Sequence, residues 1–202
     1  MASALSMLPG ERINLSNASV LLLDSHAEGL ELLAQTFAGF GMHTPCRCST
    51  AADAMTALGD REFNLLVVDS AVADLDGYEF VRWLRRSAGK PNRFAPVILL
   101  TGHTKASQVF KGRDCGANLV IRKPAPPMVL LQRILWASSE SRAFVESENY
   151  CGPDRRFRAL GPPVGAKGRR HDDLSSEVGQ AKTPNLDQDD IDALFKPKKA
   201  AG

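Results

Sequence analysis

A chain of 202 residues, 44% hydrophobic and 24% charged, is long enough to bury one sizeable core and ordinary enough in composition to be globular. Its formal net charge of +2 gives no overall pull toward nucleic acid or anionic membrane, so any basic surface has to be local. No apolar run approaches the ~20 residues of a membrane helix, and no basic stretch followed by an apolar one marks a signal peptide. No membrane insertion is expected, and the cytoplasm is the expected location. The four cysteines, Cys46, Cys48, Cys115 and Cys151, are scattered, and the Cys46-x-Cys48 pair lacks the second pair that would complete a zinc site. Free thiols in a reducing compartment are the expectation.

In chain order, Ser19–Asp24 (SVLLLD) is a short apolar run ending in an acid, the pattern of a strand buried on both faces. Leu30, Leu33, Phe37 and Phe40 then recur at helical spacing. Met42–Pro45 is a weak strand candidate. Ser49 stands as an N-cap for a helix through Ala52, Met55 and Leu58. Asn64–Asp69 (NLLVVD) repeats the buried-strand signature and again ends in Asp. Tyr78–Leu84 reads as helix, Pro96–Thr101 as strand, and Ser107–Cys115 as a less hydrophobic helix. Leu119–Arg122 is a last strand and Met128–Trp136 a last helix. Strand and helix alternate five times, which implies an α/β fold: a doubly wound, five-stranded parallel sheet with helices on both faces.

From about Tyr150 onward, large aliphatic residues become rare, and Gly, Pro, Arg, Asp and Lys take over. Such a segment buries too little apolar surface to offset its ordering entropy. The expected organisation is a leader at residues 1–15, a domain at 16–139, a basic Gly/Pro/Arg-rich linker at 140–182, and a tail at 183–202.

In open parallel sheets, function gathers at the carboxyl ends of the strands. Those ends carry Asp24, Asp69, Thr101 and Lys123. A carboxylate can accept a phosphoryl group, but the incoming phosphate is itself anionic. A divalent cation on oxygen ligands has to screen the two, and an ammonium can hold a second phosphoryl oxygen. A hydroxyl can then report the phosphate by bonding it. Asp24, Asp69, Lys123 and Thr101 supply these groups, and Ala71 can offer a backbone carbonyl to the metal.

With those residues in place, the sequence resembles the bacterial response-regulator receivers, of which the CheY-like chemotaxis proteins are the simplest. The matching segments are VLLLDS ending at Ser25, VVDSAVADLDGYEF from Val67 to Phe80, VILLTG from Val97 to Gly102, and CGANLVIRKPAPP from Cys115 to Pro127. The resemblance as a whole covers about three-fifths of the chain. The resemblance implies the flavodoxin-like strand order 2-1-3-4-5, phosphorylation of Asp69, and Mg²⁺ held by Asp24, Asp69 and the Ala71 carbonyl. It also implies phosphate contacts from Thr101 and Lys123, and a Lys123–Pro124 bond of the usually cis kind. Partners would be a histidine kinase or phosphotransfer protein on the input side. No separate enzymatic activity is expected.

The sequence departs from that family at three places. Asp24 is followed by Ser25 where the family has a second acid, so Mg²⁺ should bind more weakly. Val72-Ala73 replaces the usual Met-Pro after the phosphoacceptor. Val120 stands where many members keep an aromatic switch residue. These departures leave two readings: a phosphorylated receiver with an atypical switch, or a degenerate receiver used as a binding scaffold.

Two further signals lie in the tail. Arg155, Arg156 and Arg158, then Lys167, Arg169 and Arg170, are interleaved with Phe157 and His171. Guanidinium groups suit phosphate and stack on bases. Arg169 with Asp172 forms an Arg-x-x-Asp pair resembling the inhibitory cyclic di-GMP site of diguanylate cyclases. The alternatives are a solvated basic linker and, less readily, contact with RNA or DNA; no nucleic acid partner is expected. Leu186–Phe195 (LDQDDIDALF) has a capping arrangement at Asp187 and Asp190, and Ile191, Leu194 and Phe195 share one helical face. It resembles the N-terminal receiver-binding peptide of the flagellar switch protein FliM, which implies a flagellar or chemotaxis partner or self-docking.

The expectation is therefore a phosphorelay response regulator signalling by protein–protein binding, in chemotaxis or flagellar control. The second reading is a cyclic di-GMP effector working through the arginine-rich tail.

Overall fold

The computed structural model describes residues 15–103, 105–138, 142–155 and 188. Five strands, β1 (Val20–Leu23), β2 (Cys46–Cys48), β3 (Leu65–Asp69), β4 (Val97–Thr101) and β5 (Leu119–Arg122), form one sheet in the order β2-β1-β3-β4-β5, every pair parallel. Five helices connect or follow them: α1 (Ala27–Gly39), α2 (Ala51–Asp60), α3 (Gly77–Ser87), α4 (Ala106–Asp114) and α5 (Pro127–Ser138). Among the described residues, no helix is long and apolar enough to cross a membrane.

The continuous apolar runs follow from burial on both faces. Successive strand residues point to opposite sides, so Val20 and Leu22 join one cluster with Phe37 of α1 and Ile134 of α5. Leu21 and Leu23 join the other, with Ala54 of α2, Phe80 of α3 and Val109 of α4. A strand packed on both sides has no face left for polar residues. That is why the runs Val20–Leu23 and Leu65–Val68 carry none before Asp24 and Asp69.

Two local expectations shift. The second strand begins at Cys46, past the Met42–Pro45 candidate, because the Met42 amide still bonds the Phe37 carbonyl at the end of α1 and Pro45 has no amide to give. The N-cap of α2 is Thr50 in place of Ser49; its hydroxyl accepts from the Asp53 amide at 3.1 Å. A second cap comes from far along the chain. The Asp74 carboxylate, in the loop after β3, accepts from the Ala51 and Ala52 amides at 2.9 and 3.1 Å.

The linker expectation for 140–182 is corrected over its first part. Residues Phe144–Glu146 (β6) and Cys151–Pro153 (β7) form an antiparallel hairpin. It seats on α3 and the short 3-10 turn Asn92–Phe94. The rings of Phe144 and Phe94 meet edge to face at 4.7 Å, Arg93 pairs with Glu146 at 2.7 Å, and the Cys151 thiol donates to the Arg85 carbonyl. Two glycines permit the approach: a Cβ on Gly116, where φ is +98°, would lie 2.5 Å from the Cys151 carbonyl oxygen, and one on Gly152 would lie 2.7 Å from the Gly116 Cα. A hairpin held by arginines, backbone groups and glycines leaves little aliphatic signature, so composition alone misses it.

Candidate functional site

The strand registers bring the chemistry together. Leu23 lies beside Val68, Asp69 beside Leu100, and Thr101 beside Arg122, so the carboxyl ends of four adjacent strands finish side by side. Asp24 follows β1, Asp69 closes β3 and Thr101 closes β4, and all three are buried. Lys123 follows β5, tied by its amide to the Thr101 carbonyl at 2.8 Å, and its peptide bond to Pro124 is cis.

The Lys123 ammonium bridges the two acids, 2.8 Å from Asp24 Oδ2 and 3.1 Å from Asp69 Oδ1. Burial pushes the Asp24 carboxyl up, but the hydrogen bond from Lys123 and the His26 amide, with the lysine charge, outweigh it and hold Asp24 below its ordinary value. Asp24 is therefore an anion at neutral pH. Two carboxylates against one ammonium leave a site that favours a further cation.

Close backbone packing sets this geometry. A Cβ on Gly77 would lie 2.1 Å from the Asp69 carbonyl oxygen, so α3 can start beside the acceptor only with glycine there. Asp76 caps the same helix, accepting from the Tyr78 amide at 2.8 Å. A Cβ on Gly29 would lie 2.5 Å from Asp24 Oδ2, so α1 presses equally close to the other acid.

The Thr101 hydroxyl is occupied by its own loop, accepting from the His103 amide and donating to the His103 carbonyl, each at 3.1 Å. Burial pushes the Tyr78 phenol up, and the Thr101 and Ser70 side chains beside it work against that rise. Tyr78 is buried, its ring covered by the Lys111 ammonium 4.5 Å from the centroid. Val120 is buried too, and a Cβ on Gly112 would lie 2.5 Å from its Cγ2, so α4 packs directly against the position that lacks an aromatic ring.

The Ser25 hydroxyl accepts from the Ala73 amide at 2.7 Å, which fastens the loop after β1 to the loop after β3. His26 meets the first acid, with Nδ1 3.1 Å from Asp24 Oδ1. Asp24, His26 and Asp69 each offer one ligand atom, and the three lie within 4.8 Å of one another. Two buried carboxylates with an adjacent imidazole fit a divalent cation. Asp24 and Asp69 would hold it, and Ala71, exposed two residues beyond the acceptor, is placed in the loop that would add a carbonyl.

Of the residues singled out from sequence, Asp24, Asp69, Thr101 and Lys123 meet at one end of the sheet. Arg155 lies elsewhere: it pairs with Asp114 at the end of α4, and its guanidinium sits 4.2 Å from the Tyr150 ring centroid. Arg156, Arg158, Arg169, Arg170 and Asp172, and likewise Ile191, Leu194 and Phe195, lie outside the described residues. Sequence reasoning missed His26, Tyr78 and Asp74. Among these, only His26 gave a signal, as a histidine two residues after a strand-terminal acid.

The family model of the response regulator receiver domain matches residues 20–135. The transcriptional regulatory protein GltR of Pseudomonas aeruginosa is 35% identical over 121 residues, covering 57% of this chain and 47% of that protein. The DNA-binding response regulator MtrA of Mycobacterium tuberculosis is 28% identical over 115 residues, covering 57% of this chain and 48% of its own length. The chain thus spans about half the length of the curated relatives it matches. Among solved structures, the Vibrio cholerae chemotaxis protein CheY4 superposes with a TM-score of 0.55 at 22% identity, covering 59% of this chain and 98% of that one, a likeness of fold.

Proposed function

The chain belongs to the response regulator receiver family, and from that premise we propose that Asp69 accepts a phosphoryl group from a histidine kinase or phosphotransfer protein. The observation that carries this reading is Lys123 Nζ placed 2.8 Å from Asp24 and 3.1 Å from Asp69. The ammonium can follow the charge as it passes from carboxylate to phosphoryl oxygen, while Asp24 stays ionised to help hold a cation. When bound, that cation screens the carboxylate from the incoming phosphate. Thr101 exchanges its bonds with His103 for a phosphoryl oxygen, and Tyr78, beside that side chain, carries the change into the α3–α4 packing. The test is incubation of the full chain with a small phosphodonor and a divalent ion. One phosphate should be gained by wild type and none by Asp69→Asn or in the presence of a chelator; uptake by Asp69→Asn would reject the assignment.

The proposed output is protein–protein binding at the outer edge of β5, in chemotaxis or flagellar control. One contact favours it. The Gln188 side-chain amide lies along this edge strand, accepting from the Arg122 amide at 2.9 Å and reaching the Val120 carbonyl at 3.5 Å. Gln188 belongs to the LDQDDIDALF segment that resembles a receiver-binding peptide. A labelled peptide of residues 185–197 should bind the phosphorylated and unphosphorylated chains with different affinity; equal affinity would reject the output. The cyclic di-GMP reading gains no support from the described residues, since Arg155 is already engaged by Asp114 and Tyr150.

A further inference from the structure

We propose that His26 is a ligand of the divalent ion, and that this site therefore prefers an imidazole-accepting transition ion such as Co²⁺ or Ni²⁺ over Mg²⁺. The inference rests on the phosphoacceptor reading only in taking Asp24 and Asp69 as the oxygen ligands.

Three observations lead to it. First, the oxygen of the residue after Asp24 is already engaged, because the Ser25 hydroxyl accepts from the Ala73 amide at 2.7 Å. Second, the next residue brings a nitrogen into the same space. His26 Nδ1 lies 3.1 Å from Asp24 Oδ1, and it falls with Asp24 and Asp69 in one cluster of ligand atoms no more than 4.8 Å apart. Ligands on one octahedral ion with bonds of about 2.1 Å are roughly 3 Å apart when adjacent and 4 Å when opposite, so small shifts suffice. Third, the two oxygens of Asp24 are divided: Oδ2 receives Lys123 at 2.8 Å, while Oδ1 accepts from the His26 amide at 2.9 Å and lies 3.1 Å from its Nδ1. The ion can enter on the histidine side without displacing the lysine, which stays free to meet phosphate.

The imidazole is placed to do this at little cost. Its side chain is 73% exposed, and although His26 is the N-cap of α1, its ring makes no capping bond to the helix. Binding the ion through Nδ1 requires the neutral tautomer that carries its proton on Nε2. Mg²⁺ demands oxygen ligands and dehydrates reluctantly, whereas imidazole suits the later first-row ions. Losing an acid and gaining a histidine therefore changes which metal is held as well as how tightly.

The experiment is calorimetric titration of the full metal-free chain at neutral pH with Co²⁺ and with Mg²⁺, and pulsed electron paramagnetic resonance of its Mn²⁺ form. Wild type, His26→Ala and Asp69→Asn are compared, without any phosphodonor, so the result stands apart from whether Asp69 is phosphorylated. Wild type should hold Co²⁺ more tightly than Mg²⁺ and show imidazole nitrogen coupling to Mn²⁺. His26→Ala should weaken Co²⁺ by about tenfold or more, the scale of losing even an outer partner of a metal ligand. It should abolish the nitrogen coupling and leave Mg²⁺ within about twofold. Asp69→Asn should weaken both ions. If His26→Ala leaves Co²⁺ affinity unchanged, or the nitrogen coupling is absent from wild type, or Asp69→Asn retains full Co²⁺ binding, the proposal is overturned.

Discussion

Two buried polar clusters occupy opposite ends of the same sheet, and they are satisfied in opposite ways. At the carboxyl ends of the strands, Asp24 and Asp69 share one ammonium, and the cluster keeps an excess negative charge. At the amino ends, Arg85 is 1% exposed and pairs with no carboxylate among the described residues. Its guanidinium donates to the carbonyls of Gly116, Arg93 and Ala95 at 2.7–3.0 Å and to Asn118 Oδ1 at 2.9 Å. Burial lowers its pKa to about 10, leaving it charged at neutral pH. The arginine cluster is complete without a ligand, and what it does is join α3, the β4 and β5 entries and the hairpin. The acid cluster is one charge short of balance, which is what a site for a cation and a phosphoryl group requires. Burial of charge alone therefore does not mark function; the unbalanced end does.

The sharpest way to break this comparison is Arg85→Met. The carbonyls of Gly116, Arg93 and Ala95 lose the guanidinium donor at once, while Asn118 Oδ1 keeps the Val97 amide, and each buried unsatisfied group costs about 1–3 kcal/mol. A loss of ~3 kcal/mol or more in urea unfolding is expected, with faster proteolysis of residues 142–155. A change below ~0.5 kcal/mol would show the arginine cluster to be dispensable. Asn118→Ala comes next. Asn118 Oδ1 accepts from both Arg85 and the Val97 amide, so a loss of about 1–3 kcal/mol is expected, with phosphorylation of Asp69 intact.

At the acid end, the expected effects are on pH dependence. The folded pKa of Asp24 lies below its usual 3.8. Its carboxylate thus contributes stability that is fully present above that usual value and lost as pH falls through the folded one. Lys123→Met removes the strongest of the groups that lower it, leaving burial to raise it. The acid limb of the stability curve should move to higher pH, and an unmoved limb in acid titration followed by circular dichroism would contradict the bridge. The smallest effect belongs to Tyr78→Phe. Losing a buried hydroxyl beside Thr101 and Ser70 should cost at most about 0.5–1.5 kcal/mol and alter the lifetime of the phosphorylated state. An unchanged lifetime would sever Tyr78 from the switch.

The difference between the two ends also explains what can be read from sequence. Apolar runs ending in Asp24 and Asp69 announce buried parallel strands and place the acids at one end, so the sheet and four site residues are legible in the amino-acid order alone. Arg85 is not. In RWLRRS nothing separates it from Arg82 and Arg86, and three of its four partners are backbone carbonyls, which leave no mark in sequence. His26 is hidden for a similar reason: its meaning depends on Ser25 turning toward Ala73, a contact across 48 residues. Side chains that act through strand ends are visible in sequence, whereas those that act through another segment's backbone are not.

The central claim is that the unbalanced acid end carries a phosphoryl group on Asp69. Borohydride reduction of the phosphodonor-treated chain, followed by peptide mass spectrometry, tests it most directly, because an acyl phosphate is converted to a stable alcohol at the residue that bore it. Reduction is expected at Asp69 alone and only with a divalent ion present. Reduction at Asp24, Asp74 or Asp76, or at no residue in a chain shown to be folded and metal-bound, would contradict it.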